Sequence, residues 1–280
     1  MDSTAERVNL DDLVSDAELG LARKEFFFVY QPKLRLQTGL LSGFESLIRW
    51  HHPKHGVLMP SVFIDIVENS HLTSRFTEYV ITESARILAA WAVRGYDDLS
   101  LSINLPAREV TRPEIIKRLS FILDSYAVRA GNFQIELTES IDPGPIEALV
   151  SAVASIRKMG LSVAIDDFGI GCWSLTKLHR LAVDTLKLDR SFMHDVDERA
   201  ESRTVVEALV ELGTRLEKRV VVEGVETEAQ FEWLRKMTQV DCQGYYISAP
   251  VREEQVGGLI EKCRFDIGGV DPVIPDTASH

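Results

Sequence analysis

FFFVYQPKLRLQTGLLSGFESLIRW, residues 26–50, holds two runs rich in aromatic and branched residues, 26–36 and 40–50, separated by Gln37, Thr38 and Gly39. So short a connection makes a hairpin, so these two strands run antiparallel. Six more runs of strand type follow: LSLSINL (99–105), FQIELT (133–138), LSVAID (161–166), VDTLKLD (183–189), RVVVEG (219–224) and CQGYYI (242–247). Between them lie stretches with apolar residues at helical spacing, at 74–93, 113–126, 145–160 and 202–218. Pro113 and Pro145 suit a first helical turn, and Gly160 lies where a helix cap would be. Alternation of this length gives parallel βαβ units. Eight strands suggest an α/β fold closed into a modified (β/α)8 TIM-type barrel, with the first strand reversed by its hairpin. A doubly wound open sheet is the alternative. Residues 1–19 read as a polar segment and the start of a leading helix, 20–262 as the barrel, and 263–280 as a loose tail rich in Gly, Pro and Asp.

The bulk composition narrows the classes of function. The chain has 280 residues, 45% hydrophobic and 26% charged, which is ordinary for a globular protein. A net charge of −12 argues against a polymeric nucleic-acid partner, which needs a basic face. No apolar run approaches the length of a membrane span, and the acidic start MDSTAERVNLDDL is no signal peptide. The three cysteines, Cys172, Cys242 and Cys263, are odd in number and lack Cys-x-x-Cys spacing. Neither a disulfide framework nor a thiolate zinc site is expected, and a reducing cytoplasm fits best. No G-x-G-x-x-G or Walker loop is present.

Barrel enzymes keep their chemistry at the C-terminal ends of the strands. Those ends carry Glu45, Asn104, Glu136 with Glu139 beyond it, Asp166 with Asp167, Lys187 with Asp189, Glu223 with Glu226, and Gln243. Each alone is weak evidence, because an isolated glutamate after a strand is usually solvated. Together they place a ring of carboxylates around one mouth, and such a ring cannot stay ionised without cations. Its oxygen-rich donor set suits Mg²⁺ or Mn²⁺ rather than zinc. Within VAIDDFGIG (163–171), Asp166 is the last inward residue of its strand and Asp167 stands where the chain turns outward. Two adjacent aspartates then serve two metals with Asp166 bridging, an arrangement suited to displacement at phosphorus. Gly169 and Gly171 let the following loop turn sharply.

Taken in order, these motifs resemble the EAL-domain cyclic di-GMP phosphodiesterases over roughly residues 20–262. The name-giving triplet appears as Glu45-Ser46-Leu47, and YQPK (30–33), INL (103–105), ELTE (136–139), DDFG (166–169), LKLDRSF (186–192), EGVE (223–226) and QGY (243–245) match in order and spacing. The resemblance implies hydrolysis of cyclic di-GMP to linear pGpG with two Mg²⁺ or Mn²⁺ ions per site, Ca²⁺ being inhibitory. It implies Glu45, Asn104, Glu136 and Asp166 as ligands of one metal, and Asp166, Asp167 and Glu223 as ligands of the other. It casts Lys187 as the residue touching the nucleophilic water. Glu223 has also been cast as a base, a role weaker than ligation because a metal already lowers the pKa of water. Gln31 and Arg49 match positions that hold the nucleotide and its phosphate, Glu139 braces the loop after the fifth strand, and Asp189, Glu226 and Gln243 match further substrate positions. The resemblance also implies a homodimer. The bare polar start fits an output domain detached from an N-terminal sensory or receiver domain.

The sequence departs from the family at Ser46, Ile170, Cys172, Trp173 and Pro106, and it lacks the usual arginine before Pro250. None of these is an expected metal ligand. The apolar loop residues Ile170, Cys172 and Trp173 point to cover by a partner subunit, or else to Trp173 packing on the helix at 174–181. His51 and His52 precede Pro53 in a turn and are not expected to bind metal. No His-Asp pair of the HD-GYP phosphodiesterase kind is visible, and Phe26, Phe27 and Phe28 read as core. Two other functions are weaker: an EAL-type receptor that holds cyclic di-GMP without cutting it, and an unrelated Mg²⁺-dependent barrel lyase or aldolase. The first usually lacks metal ligands that this chain keeps, and the second leaves the ordered motifs unexplained.

Overall fold

The computed structural model describes residues 10–138, 145–170, 173–237 and 239–265, with side chains described from residue 13 to 262. Its strands are β1 (Phe26–Arg35), β2 (Leu40–His52), β3 (Gly56–Leu58), β4 (Ser100–Pro106), β5 (Phe133–Thr138), β6 (Ser162–Phe168), β7 (Thr185–Leu188), β8 (Arg219–Val222) and β9 (Val240–Cys242). Its helices are α1 (Leu10–Arg23), α2 (Pro60–Glu68), α3 (Thr73–Val93), α4 (Ala107–Val110), α5 (Pro113–Ser125), α6 (Ile146–Lys158), α7 (Leu175–Arg180), α8 (Ala200–Arg215), α9 (Glu228–Leu234) and α10 (Glu253–Phe265). The sheet runs β1-β9-β8-β7-β6-β5-β4-β2-β3, and a further β1–β2 pairing closes it. Eight strands therefore form the barrel, with β3 as an antiparallel appendage on β2. β1 is antiparallel to both neighbours, β2 and β9, while every other barrel pairing is parallel. The hairpin read from residues 26–50 is the device that reverses it.

The last barrel strand lies earlier than the expected 242–247. It is Val240–Cys242, and the chain then leaves the ladder for a turn on Val225. Val225 N–H donates to the Gln243 carbonyl, and Tyr246 N–H donates to the Val225 carbonyl. A Cβ on Gly244 would stand 2.1 Å from the Val225 carbonyl oxygen, so only glycine permits this approach. At the other side of Val225, Thr227 and Gln230 form a capping box at the start of α9. Gln230 Oε1 also accepts from the Glu226 amide at 2.7 Å, fixing the chain beside the mouth.

The apolar core lies between barrel and helices. Phe26 packs on Trp50, Phe63 and Phe76 with ring centroids 4.9, 5.6 and 5.3 Å apart. Phe28 is buried too, whereas the half-buried Phe27 lies under the Arg252 guanidinium, 3.9 Å from its ring centroid. Trp173 belongs to this core at 6% exposure, so the expectation that it offers an apolar surface to a partner does not hold. Its indole is covered from within its own chain, and Ser174 caps α7 behind it. Ile170 stays exposed, and Cys172 lies outside the described residues. Among the described residues no helix is long and apolar enough to cross a membrane.

Candidate active site

The barrel interior is polar, where such barrels are commonly filled by branched apolar side chains. Side chains of a strand alternate between its faces, so residues two apart point to the same side. Lys33, Ser102, Gln134 and Thr185 are buried one layer below Gln31, Asn104, Glu136 and Lys187 on the same strands. The strand registers set the neighbours in the upper layer: Gln31 opposes Glu45, and Asn104 opposes Glu136.

The Lys187 ammonium is the hub of that layer. It lies 2.7 Å from Glu136 Oε2, 2.7 Å from Glu223 Oε1, 2.8 Å from Asp166 Oδ1 and 3.3 Å from Glu45 Oε2. Asn104 Nδ2 donates to Glu45 Oε1 at 2.8 Å. Gln243 Nε2 donates at 2.8 Å to both Glu45 Oε2 and Gln31 Oε1. Eight of the residues singled out in the sequence thus form one connected cluster.

The paired aspartates are brought together by a bulge. Ile165 pairs with Leu186 and Phe168 with Leu188, so Asp166 and Asp167 together oppose Lys187 alone. Asp167 takes the left-handed region, φ 51°, a conformation that costs about 1–3 kcal/mol and gathers at functional sites. The bulge and that φ cancel the strand alternation, and both carboxylates line one cavity. That cavity, of 390 Å³, lies against α2 and is walled by Phe28, Leu47, Ile48, Ile64 and Leu105, with Asn104 also in its lining. A smaller hollow of 120 Å³ is lined by Gln31, Glu223, Glu226, Gln243 and the exposed Tyr245, with Arg190 alongside.

Two expected substrate residues are engaged elsewhere. Arg49 Nη1 donates to the neighbouring Ile48 carbonyl, and Asp189 Oδ1 accepts the Ser191 amide as a local cap. Glu139 lies outside the described residues. Lys33 is a further buried partner, one layer below the strand ends. Its signal was legible, because it stands two residues beyond Gln31 on the same strand.

Charge explains why this cluster suits cations. Four carboxylates (Glu45, Glu136, Asp166, Glu223) face two ammonium groups (Lys33, Lys187), leaving 2 − 4 = −2 with all four ionised and before Asp167 is counted. Burial pushes the carboxyls of Glu45 and Asp166 up, and that of Glu223 up to about 8, despite the attraction of Lys187. Burial also acts to raise Glu136, but Lys187 and Lys33 outweigh it and hold that carboxyl down at about 2. Asn104 Oδ1 is buried with no hydrogen-bond partner. Surplus negative charge and an orphaned amide oxygen fit a hard, oxygen-seeking cation. Among the described residues no three His, Cys, Asp or Glu side chains stand ready in metal-holding geometry. Four of the carboxylates converge on Lys187 instead, and a cation would have to draw them from it.

A pH prediction follows for the protein stripped of metal. A carboxyl whose pKa is raised by folding costs stability as it ionises, so stability falls as pH climbs from the ordinary carboxylate range through about 8. Melting temperature in EDTA should therefore decline from pH 5 to about pH 8.5, and Mn²⁺ should flatten the decline. A melting temperature that rises over this range in EDTA would contradict the charge balance.

A family model described as EAL domain matches residues 14–250. The chain belongs to the EAL-domain family. The EAL chain is 32% identical over 244 residues to the bifunctional diguanylate cyclase/cyclic di-GMP phosphodiesterase MucR of Pseudomonas aeruginosa, covering 87% of this chain and 36% of MucR. It is 31% identical over 237 residues to the cyclic di-GMP phosphodiesterase NbdA of the same organism, covering 85% of this chain and 30% of NbdA. It thus spans about a third of the length of these curated relatives. A solved structure of the MucR phosphodiesterase in complex with c-di-GMP superposes with a TM-score of 0.82 at 32% identity, covering 88% of this chain and 99% of that one.

Proposed function

We propose that this EAL domain hydrolyses cyclic di-GMP to linear pGpG with the help of two divalent cations, Mg²⁺ or Mn²⁺. The observation that carries the reading is the convergence of Glu45, Glu136, Asp166 and Glu223 on one buried lysine, with net negative charge left over. Glu45, Asn104, Glu136 and Asp166 would hold one cation, and Asp166, Asp167 and Glu223 the other. When bound, the cations lower the pKa of an attacking water and offset charge on the phosphodiester. The protein's own residues do the rest. The apolar cavity against α2 has the walls to take one flat base, with the paired aspartates at its edge. Gln31 and Gln243, already bonded to each other, with Gln243 also bonded to Glu45, orient the ring from the opposite side. Glu226 lines that hollow, and Arg49 reaches the phosphate once it leaves its own backbone. Lys187 gathers the carboxylates and opposes the burial that disfavours their ionised form, and it stays within reach of the attacking water. Relatives named as cyclic di-GMP phosphodiesterases, and one solved with c-di-GMP, support this substrate. Pairing of two copies belongs to the same reading, with exposed Ile170 and Leu175 offering apolar surface near the bulge.

The test is turnover of cyclic di-GMP in Mg²⁺, Mn²⁺, Ca²⁺ and EDTA, with cyclic di-GMP, pGpG and GMP resolved chromatographically. Mg²⁺ and Mn²⁺ should yield pGpG, and EDTA should yield none. Ca²⁺ should support binding but suppress turnover, because it is larger, prefers longer bonds and activates water poorly. Tight binding with no product in any metal would replace the enzyme by a receptor. Equal turnover in Ca²⁺ and Mg²⁺ would contradict a metal-activated water.

A further inference from the structure

Lys33 has no part in the reaction as proposed, yet it is one of two lysines buried in the barrel interior, at 3% exposure against 1% for Lys187. An ammonium is costly to bury unless every N–H finds an acceptor. Lys33 Nζ finds three: Ser102 Oγ at 2.8 Å, Gln134 Oε1 at 3.0 Å and Glu136 Oε1 at 3.3 Å. The Gln134 amide is itself turned by Thr185, whose hydroxyl oxygen accepts from Gln134 Nε2 at 3.1 Å, so its oxygen faces Lys33. Antiparallel β1, parallel β4, β5 and β7 thus build one bracket around this ammonium. Above the bracket sits Glu136, which is wholly buried. Its two oxygens are divided between two cations: Oε1 to Lys33 from the layer below and Oε2 to Lys187 in the mouth.

We propose that Lys33 is the positioning residue for Glu136. It anchors Oε1 downward, so that Oε2 alone is presented to the mouth. This inference rests on the metal-dependent reading above. Removing Lys33 leaves Glu136 without its lower anchor and free to rotate, which makes it a poorer ligand. A lysine serving only to fill the barrel would affect stability and leave cation binding untouched.

The experiment is a double-mutant cycle on the whole chain, with Mn²⁺ affinity read by calorimetry and kcat and KM read separately with cyclic di-GMP. Lys33→Met should weaken Mn²⁺ binding by about 10–100-fold, the range typical for residues that hold a metal ligand in place. It should lower kcat more than it raises KM. In a Glu136→Gln background the same substitution should change Mn²⁺ affinity less than about twofold, because its target is gone. Unchanged or tighter Mn²⁺ binding by Lys33→Met, or an equal loss in the Glu136→Gln background, would overturn the proposal. Should Lys33→Met not fold, Ser102→Ala keeps the charge and removes one strut of the bracket. It should weaken Mn²⁺ about threefold, and unchanged affinity would overturn the proposal equally. A wild-type chain that neither binds Mn²⁺ nor turns over cyclic di-GMP would overturn the phosphodiesterase reading and this one with it. A competent wild type with an indifferent Lys33→Met overturns this one alone.

Discussion

Asp166→Ala is expected to abolish hydrolysis of cyclic di-GMP while leaving the barrel folded. Asp166 is the carboxylate shared by both proposed metal positions, so its loss breaks both at once. A metal pair supplies several kcal/mol of transition-state stabilisation. Losing that amount lowers kcat by about 1,000-fold or more, at 1.36 kcal/mol per tenfold. The fold should survive because Asp166 is one of four carboxylates sharing Lys187, and burial already disfavours its ionised form. Without metal, the variant should melt at the same temperature as the wild type or above it. With Mn²⁺, the wild type should gain stability by mass action and the variant should gain much less. Glu45→Ala and Glu223→Ala should behave likewise, since each removes a ligand of one cation. Near-normal turnover by Asp166→Ala would sink the two-metal assignment.

The second large effect belongs to stability. Lys187→Met should destabilise the metal-free protein by about 3–5 kcal/mol, the cost of removing one partner from a buried ionic cluster. Lys187 is 1% exposed and is the only cation touching Glu45, Asp166 and Glu223 among the described residues. Glu136 alone would keep a second partner, Lys33. For a chain of this size the loss corresponds to a fall of about 10 °C in melting temperature. Lowering the pH should recover part of it, because protonated carboxyls no longer repel. Mn²⁺ should recover part of it at neutral pH by taking over the role of the ammonium. A melting curve identical to wild type in EDTA at pH 8 would show that Lys187 is not the hub described here. Catalysis should fail in this variant even where Mn²⁺ restores the fold, which separates the two roles of the lysine.

Much of this was legible in the chain itself. The three-residue connection at Gln37–Gly39 dictated the antiparallel first strand, and alternation along the other strands placed Glu45, Asn104, Glu136, Asp166, Lys187 and Glu223 at one end of the barrel. The eighth strand was misplaced because QGYYI has strand-like composition. Whether its backbone joins the sheet is settled by Gly244 lying against Val225, a contact between distant segments. Trp173 was ambiguous for a related reason: an apolar loop residue looks the same whether its own core or a partner covers it. Lys33 lies below the strand ends, where the polar interior continues one layer deeper and strand-end position is no guide. The doubled aspartates were readable as unusual. The sequence gives no direct sign of the bulge against β7 that turns both into one cavity.

The central claim is that the carboxylates held by Lys187 are the seats of two divalent cations. Crystals of the wild type and of the Asp167→Ala variant, each grown with Mn²⁺ and soaked briefly with cyclic di-GMP, allow it to be measured by anomalous scattering. The expected result is two manganese peaks about 3.5–4 Å apart in the wild type. One should lie against Glu45, Asn104, Glu136 and Asp166, and the other against Asp166, Asp167 and Glu223. The Asp167→Ala crystal should keep the first peak and lose the second. A wild-type map with no manganese at these side chains, and Lys187 still holding all four carboxylates beside bound nucleotide, would contradict the account.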